Sequence, residues 1–142
     1  MRISRRAATV LSCALLASAG AGLTSTPASA AAGVTFKTER YGNGVEITAY
    51  SGSKMIAYTG WRKDDNDGYK GDTLCVGDKV SDGQNVTGWA STGKHKVKSQ
   101  GHNAPFRKCV TKNVPENRTY KIKMCVTSSD LQWCSEAARV TS

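Results

Sequence analysis

The chain has 142 residues, with 20 Lys and Arg against 11 Asp and Glu, a formal net charge of +9, and 39% hydrophobic residues. That apolar content, which includes 3 Trp, 5 Tyr and 2 Phe, argues against an intrinsically disordered chain. Beyond residue 23 no apolar run approaches the length of a membrane-spanning helix.

The N-terminal segment shows the three parts of a secretory signal peptide. Three arginines stand among the first six residues, a small and apolar stretch occupies 7–23, and Ala28-Ser29-Ala30 offers a signal peptidase site. A membrane anchor fits less well, because the stretch is rich in Gly, Ser and Ala and ends in a cleavage pattern. We expect a signal peptide at 1–30 and a single secreted domain at 31–142, whose 17 basic and 11 acidic residues give a net charge of +6.

Four cysteines remain after this cleavage: Cys75, Cys109, Cys125 and Cys134. An even number of cysteines in an exported chain predicts two disulfides. A zinc site requires closely spaced ligand pairs such as C-x2-C, which are absent from this sequence. Spacing alone leaves the disulfide pairing open.

The segment 119–126 alternates apolar and polar side chains, which is typical of a strand buried on one face. Its apolar residues would face the core, and Lys121, Lys123 and Cys125 would face the other way. A polar turn around Ser129 and Asp130 would then return the chain along 132–136 as the second arm of a hairpin.

This hairpin predicts three cross-strand pairs, namely Cys125 with Cys134, Lys123 with Glu136, and Val126 with Trp133. It therefore favours a Cys125–Cys134 disulfide, which leaves Cys75 with Cys109. The alternative joins Cys75 to Cys125, because Trp89 lies between them in sequence as a buried tryptophan does between the cysteines of an immunoglobulin domain.

Short alternating segments recur along the chain at intervals near ten residues, and no stretch sustains a helical period. Segments 45–50 and 55–61 predict one hairpin, and segments 73–80 and 85–91 predict another across the turn 81–84. About eight short strands with two disulfides predict an all-β fold. The expected architecture is a small antiparallel β-sandwich, immunoglobulin-like or fibronectin-like, with a small barrel as the alternative.

Several spaced residues carry a resemblance to a known group. They are Gly71-Asp72-x-x-Cys75, Asp82-Gly83-x-x-Val86, Cys109, Tyr120-x-Ile122-x-Met124-Cys125 and Cys134-Ser135. This arrangement resembles small two-disulfide secreted actinomycete proteins of unassigned function. Many of those have a Trp soon after the final Cys-Ser, where Glu136-Ala137 stands here. The resemblance implies the fold and the export, and no activity.

The acidic loop 63–72 is the densest cluster of oxygen ligands. An EF-hand register anchored on Gly68 places Lys63 first and Leu74 last, so two essential carboxylates are missing. We predict a solvated loop with no metal and no cofactor. A looser calcium site made by Asp65, Asp67 and Asp72 is the alternative.

No catalytic constellation is recognisable in the sequence. G-x-S-x-G is absent, the four cysteines are expected to be oxidised, and His95 and His102 read as exposed loop histidines. We therefore predict no catalytic residues and no enzymatic activity.

The strongest candidate for binding is a basic surface. Lys94, Lys96 and Lys98 recur with the period of a strand, which places them on one face with His95 and Val97 opposite. Further basic residues could extend that face towards anionic polymers such as wall teichoic acids, acidic polysaccharide or nucleic acid: Arg107, Lys108, Lys121 and Lys123. In the alternative interpretation these lysines only cover solvent faces and protect edge strands.

The expected function is a secreted, non-enzymatic extracellular or cell-wall binding module. Its partner would be an anionic cell-envelope polymer or a secreted protein, with no membrane contact after signal cleavage. No nucleic-acid motif accompanies the charge, so we expect no specific nucleic-acid recognition. The alternative function is a secreted inhibitor of a hydrolase, in particular of a protease. The loop 128–131 or the loop 101–105 would occupy the active site of that hydrolase.

Overall fold

The computed structural model describes residues 33–42, 44–63 and 71–142, so the predicted signal peptide lies outside the described residues. Within these ranges the chain forms ten strands, and no helix long and apolar enough to cross a membrane occurs there. In chain order the strands are β1 Val34–Tyr41, β2 Gly44–Ser51, β3 Lys54–Arg62, β4 Thr73–Asp78, β5 Asn85–Ala90, β6 Lys96–Lys98, β7 Phe106–Thr111, β8 Thr119–Thr127, β9 Gln132–Cys134 and β10 Ala138–Thr141.

The strands form two antiparallel sheets around one core, which confirms the predicted all-β sandwich. The first sheet has the order β1-β2-β3-β4-β7. The second has the order β10-β8-β5-β6, and β9 pairs with the part of β8 that β10 does not reach. The prediction of about eight strands omits β10, which follows the final hairpin after a short break.

The core lies between the inner faces of the two sheets. Ile47, Trp61 and Leu74 of the first sheet and Ile122 and Met124 of the second are fully buried. Burying a side chain of this size stabilises the fold by roughly 1.5–3 kcal/mol. The indole N–H of Trp61 also donates to the carbonyl of Thr141 at 3.1 Å, so Trp61 links the first sheet to β10.

The predicted hairpin between segments 73–80 and 85–91 is wrong. Strand β4 pairs with β3 and β7, whereas β5 pairs with β6 and β8 in the other sheet. The turn at Asp82-Gly83 therefore carries the chain from one sheet to the other. All six residues of β4 are buried.

The predicted register of the final hairpin is confirmed at Cys125 with Cys134 and at Val126 with Trp133. The predicted pair of Lys123 with Glu136 is wrong, because the β8–β9 ladder ends at Cys134. Strand β10 then joins β8 with Ala138 opposite Ile122. From Cys134 to Ala138 the chain advances four residues, whereas the facing part of β8, from Cys125 to Ile122, advances only three. The extra residue forms a break in the ladder that leaves Glu136 outside it.

Both predicted disulfides are present, Cys75–Cys109 and Cys125–Cys134. In each, the cysteines lie directly opposite one another on neighbouring strands, with Cα atoms 4.0 and 4.1 Å apart. The alternative Cys75–Cys125 pairing is wrong, because each of these cysteines is bonded to the cysteine opposite it within its own sheet. Two such disulfides are typical of an oxidising, extracellular environment.

Gly88 lies where the two sheets pack closely. A Cβ atom at this position would lie 2.8 Å from Thr59 Oγ1 and 2.8 Å from Val76 Cγ1, which is closer than real Cβ atoms come. Only glycine therefore allows β5 to pack against β3 and β4 at this distance.

We expect Gly88→Ala to lower the free energy of unfolding by about 1–3 kcal/mol through overpacking. Gly60→Ala is the matched control, since a Cβ on this strand residue makes its nearest contacts at an ordinary 3.7 Å. Chemical denaturation should show a change below about 1 kcal/mol for the control. Equal effects of the two substitutions would contradict the packing described for Gly88.

Candidate anion-binding face

Alternation along 94–99 directs the lysines outward, as the sequence predicts. Lys94, Lys96 and Lys98 are exposed, while Val97 and His95 are buried on the opposite side at 3% and 1% exposure. The lysines of β6 therefore lie on the outer face of the second sheet.

Three neighbouring strands place a tryptophan between two lysines. Trp89 of β5 lies opposite Lys96 of β6 on one side and opposite Lys123 of β8 on the other. Strands in a sheet are about 4.8 Å apart, so the backbones of the two lysines are about 10 Å apart with the indole between them. The Nζ atom of Lys123 lies 5.8 Å from the centroid of that partly exposed indole, within the range of a cation–π contact.

The outer face of the second sheet has a single sign of charge at its strand positions. Lys121 of β8 lies opposite Arg139 of β10, and these two extend the surface away from β6. The outward strand positions carry five basic residues and no Asp or Glu: Lys96, Lys98, Lys121, Lys123 and Arg139. We call these five residues together with Trp89 the basic face.

The outer face of the first sheet mixes charges of both signs. Lys37 and Glu39 form an ion pair at 2.6 Å on β1, and Glu46 lies on β2. Lys37 donates to Glu39, and this contact raises the pKa of Lys37. The attraction for a polyanion is therefore concentrated on the second sheet.

The seven basic residues that the sequence predicts to form one surface are divided between the two sheets. Lys96, Lys98, Lys121 and Lys123 share the basic face, and Lys94 lies in the β5–β6 connection beside it. Arg107 and Lys108 lie on β7 in the first sheet, opposite Gly77 and Val76.

Sequence reasoning missed Trp89 and Arg139 as members of this face. Alternation within β5 carries the signal for Trp89, because Val86, Gly88 and Ala90 are buried while the residues between them are partly exposed. The fully buried tryptophan of the core is Trp61.

An open cavity of about 420 Å³ lies against the β6 side of Trp89. Among the described residues no carboxylate lines it. Side chains that can contact an anion or a hydroxyl group line it, together with the indole: Thr87, Lys96, Lys98 and Gln132. Its size is within the range of small-ligand sites.

His95 is buried, so the prediction of an exposed loop histidine is wrong for this residue. Its Nε2 lies 2.9 Å from the carbonyl oxygen of Asp72 and its Nδ1 lies 2.9 Å from Thr92 Oγ1. A carbonyl only accepts, so Nε2 carries the hydrogen and Nδ1 accepts from the Thr92 hydroxyl. Burial against the Trp61 ring, 5.0 Å between centroids, lowers the pKa of His95.

Ser99 fixes the other end of β6. Its hydroxyl donates to Asp78 Oδ2 at 3.1 Å and accepts from the backbone N–H of Val86 at 2.8 Å. Asp78 belongs to the first sheet and is only 5% exposed, and this burial raises the pKa of its carboxyl group. His95 and Ser99 therefore tie both ends of the lysine-bearing strand to the first sheet.

The remaining candidates for chemistry are not assembled into a centre. His102 is exposed and stacks on Phe106 with ring centroids 4.2 Å apart. Asp72 is buried, and the other two calcium candidates, Asp65 and Asp67, lie outside the described residues. In the part of the chain that the structure describes, no group of three or more His, Cys, Asp or Glu is arranged to hold a metal ion.

We expect His95 to make stability depend on pH. The unfolded chain takes up a proton on His95 below a pH of about 6.5, and the folded protein resists this protonation. Unfolding is therefore favoured as the pH falls, by up to about 1.4 kcal/mol per pH unit. Thermal unfolding between pH 7.5 and 5.5 should show a weaker pH dependence in His95→Gln than in the natural chain.

His102→Gln serves as the control, because it makes the same substitution at an exposed histidine outside the core. Parallel stability curves for His95→Gln and the natural chain would contradict the neutral, buried state of His95.

Comparison of the chain with protein-family models, with curated proteins and with solved structures gave no match in any of the three. The resemblance to secreted actinomycete proteins therefore stays a prediction.

Proposed function

We propose that this protein is a secreted, non-enzymatic binding module that holds an anionic polymer of the cell envelope on its basic face. The observation that carries the proposal is the distribution of charge. Five basic side chains and no carboxylate occupy the outward strand positions of one sheet, with Trp89 in their midst.

Geometry supports a repeating anionic ligand. Lys96 and Lys98 on β6, and Lys121 and Lys123 on β8, form two pairs on either side of β5. Lys96 and Lys123 share the row of Trp89, whereas Lys98 lies one row to one side of it and Lys121 one row to the other. Residues two apart on a strand are about 7 Å apart, so the backbone positions of the four lysines span about 14 by 10 Å. A polymer with regularly spaced negative charges can contact several of them at once, which adds to affinity without a deep pocket.

The environment of His95 supports a non-enzymatic role. Both ring nitrogens of His95 are in hydrogen bonds to Asp72 and Thr92, so neither can take a proton from a substrate. The predicted signal peptide and the two disulfides support export.

Protection of an edge strand is the competing explanation for Lys96 and Lys98. Strand β6 is the edge of its sheet, and lysines at an edge prevent pairing with other chains. That explanation does not extend to Lys123, because β8 lies inside the sheet.

A second candidate function, inhibition of a secreted protease, is favoured by one side chain. Leu131 is 56% exposed at the tip of the β8–β9 hairpin, which the Cys125–Cys134 disulfide closes. The N–H of Ser128 donates to the carbonyl of Leu131 at 2.9 Å, so the tip is a tight turn. If a protease pocket takes Leu131, Leu131→Asp abolishes inhibition, and a lack of inhibition across a panel of secreted proteases removes this candidate.

Charge reversal tests the proposed function directly. We expect Lys96→Glu with Lys123→Glu to weaken binding to purified bacterial cell walls at least about tenfold, because each lysine near an anionic surface contributes about 1 kcal/mol. Binding by the natural chain should weaken steeply as salt is raised. Cosedimentation at increasing salt measures both effects.

The matched control is Lys54→Glu with Lys79→Glu, which changes the net charge equally but lies away from the basic face. Binding of this control should stay within about twofold of the natural chain, as expected for surface charges outside the contact. Equal loss in both double variants would show that only net charge matters. Absence of wall binding by the natural chain would remove the proposal.

A further inference from the structure

Trp89 is not required by a purely electrostatic surface. Four lysines attract any polyanion, whereas a large aromatic ring left partly exposed on an outer face gives a specific apolar contact. The core already has its own tryptophan in Trp61, which is fully buried. The position of Trp89 therefore calls for an explanation in terms of the ligand.

The indole is part of the lining of a cavity of about 420 Å³. The face of an aromatic ring carries partial negative charge and packs well against flat groups with C–H bonds. A sugar ring has such a face, whereas a linear polyphosphate or a polyol phosphate chain does not.

The polar groups around the indole fit the substituents of an acidic sugar. Lys96 and Lys98 line the same cavity as Trp89, and Lys123 lies beside the ring. These ammonium groups can pair with a carboxylate or an acidic ester of the sugar. Gln132 and Thr87, also in the lining, can exchange hydrogen bonds with its hydroxyl groups.

We infer that the basic face recognises an acidic polysaccharide, with one sugar ring stacked on Trp89 and acid groups of the same chain paired with Lys96, Lys98 and Lys123. This inference rests on the proposed function and narrows its ligand to a class that contains rings. The lysines supply attraction for any polyanion, and Trp89 supplies the selection for a sugar.

The test compares two polyanions with the natural chain and two variants. Polygalacturonate contains acidic sugar rings, and linear polyphosphate contains charge without rings. Trp89→Ala should weaken binding of polygalacturonate about tenfold, in line with the loss of one stacked ring, and should leave polyphosphate binding within about twofold. Trp89→Phe keeps an aromatic ring and should retain most of the affinity.

The controls separate the inference from the function on which it rests. Lys96→Glu with Lys123→Glu should weaken binding of both polymers, and far-ultraviolet circular dichroism should show that every variant is folded. If the natural chain binds both polymers and Trp89→Ala affects neither, the sugar-ring inference is wrong while the polyanion function stands. If neither polymer nor cell walls bind, both are wrong.

Single-stranded oligothymidylate is the third ligand in the test, because bases also stack on aromatic rings beside basic residues. Tighter, Trp89-dependent binding of oligothymidylate than of polygalacturonate at equal ionic strength would overturn the inference in favour of a nucleic acid.

Discussion

The position of strand β6 decides whether Lys96 and Lys98 join the basic residues of β8 and β10 on the basic face. This strand has three residues and, among the described strands, pairs only with β5, so its backbone hydrogen bonds alone hold it weakly. Inward-facing residues within and next to the strand supply the remaining contacts that hold it in place. His95 bonds to the carbonyl of Asp72, Val97 is buried in the core, and Ser99 bonds to Asp78. Because these residues alternate with the lysines, the contacts that bury one side of the strand direct Lys96 and Lys98 outward.

The disulfides reinforce single sheets and leave the interface between the sheets to side-chain packing. Cys75–Cys109 joins β4 to β7, and Cys125–Cys134 joins β8 to β9. The second disulfide lies on the same outer face as Lys123 and in the same row as Thr87 and Lys98. A covalent link in this row limits the twisting of β8 and β9, so the basic face is preorganised for a ligand.

Alternation in the sequence predicts which face of a strand each side chain occupies. It predicts little about which strands become neighbours in a sheet. The register of Cys125 with Cys134 follows from local pattern and a short turn, and it is confirmed. The same alternation places His95 on the side opposite the lysines, where it is buried. The expectation that a histidine in a polar segment is exposed therefore fails for this residue.

Long-range pairing is where sequence reasoning fails. The Asp82-Gly83 turn suits both a hairpin and a crossover between sheets, so nothing local excludes the wrong partner for β4. Trp89 lies beside Lys123 because β5 pairs with β8. Arg107 and Lys108 lie outside the basic face because β7 belongs to the first sheet. Both strand pairings are determined by how the whole core packs, which the local sequence pattern does not reveal.

The most direct test of the account is a map of where a polyanion touches the protein. Titration of ¹⁵N-labelled protein with polygalacturonate should shift the indole N–H resonance of Trp89 and the backbone amides of β5, β6 and β8, with little change in β1, β2 and β3. Shifts concentrated on the first sheet, or spread evenly over all exposed lysines, would contradict a binding site on the basic face.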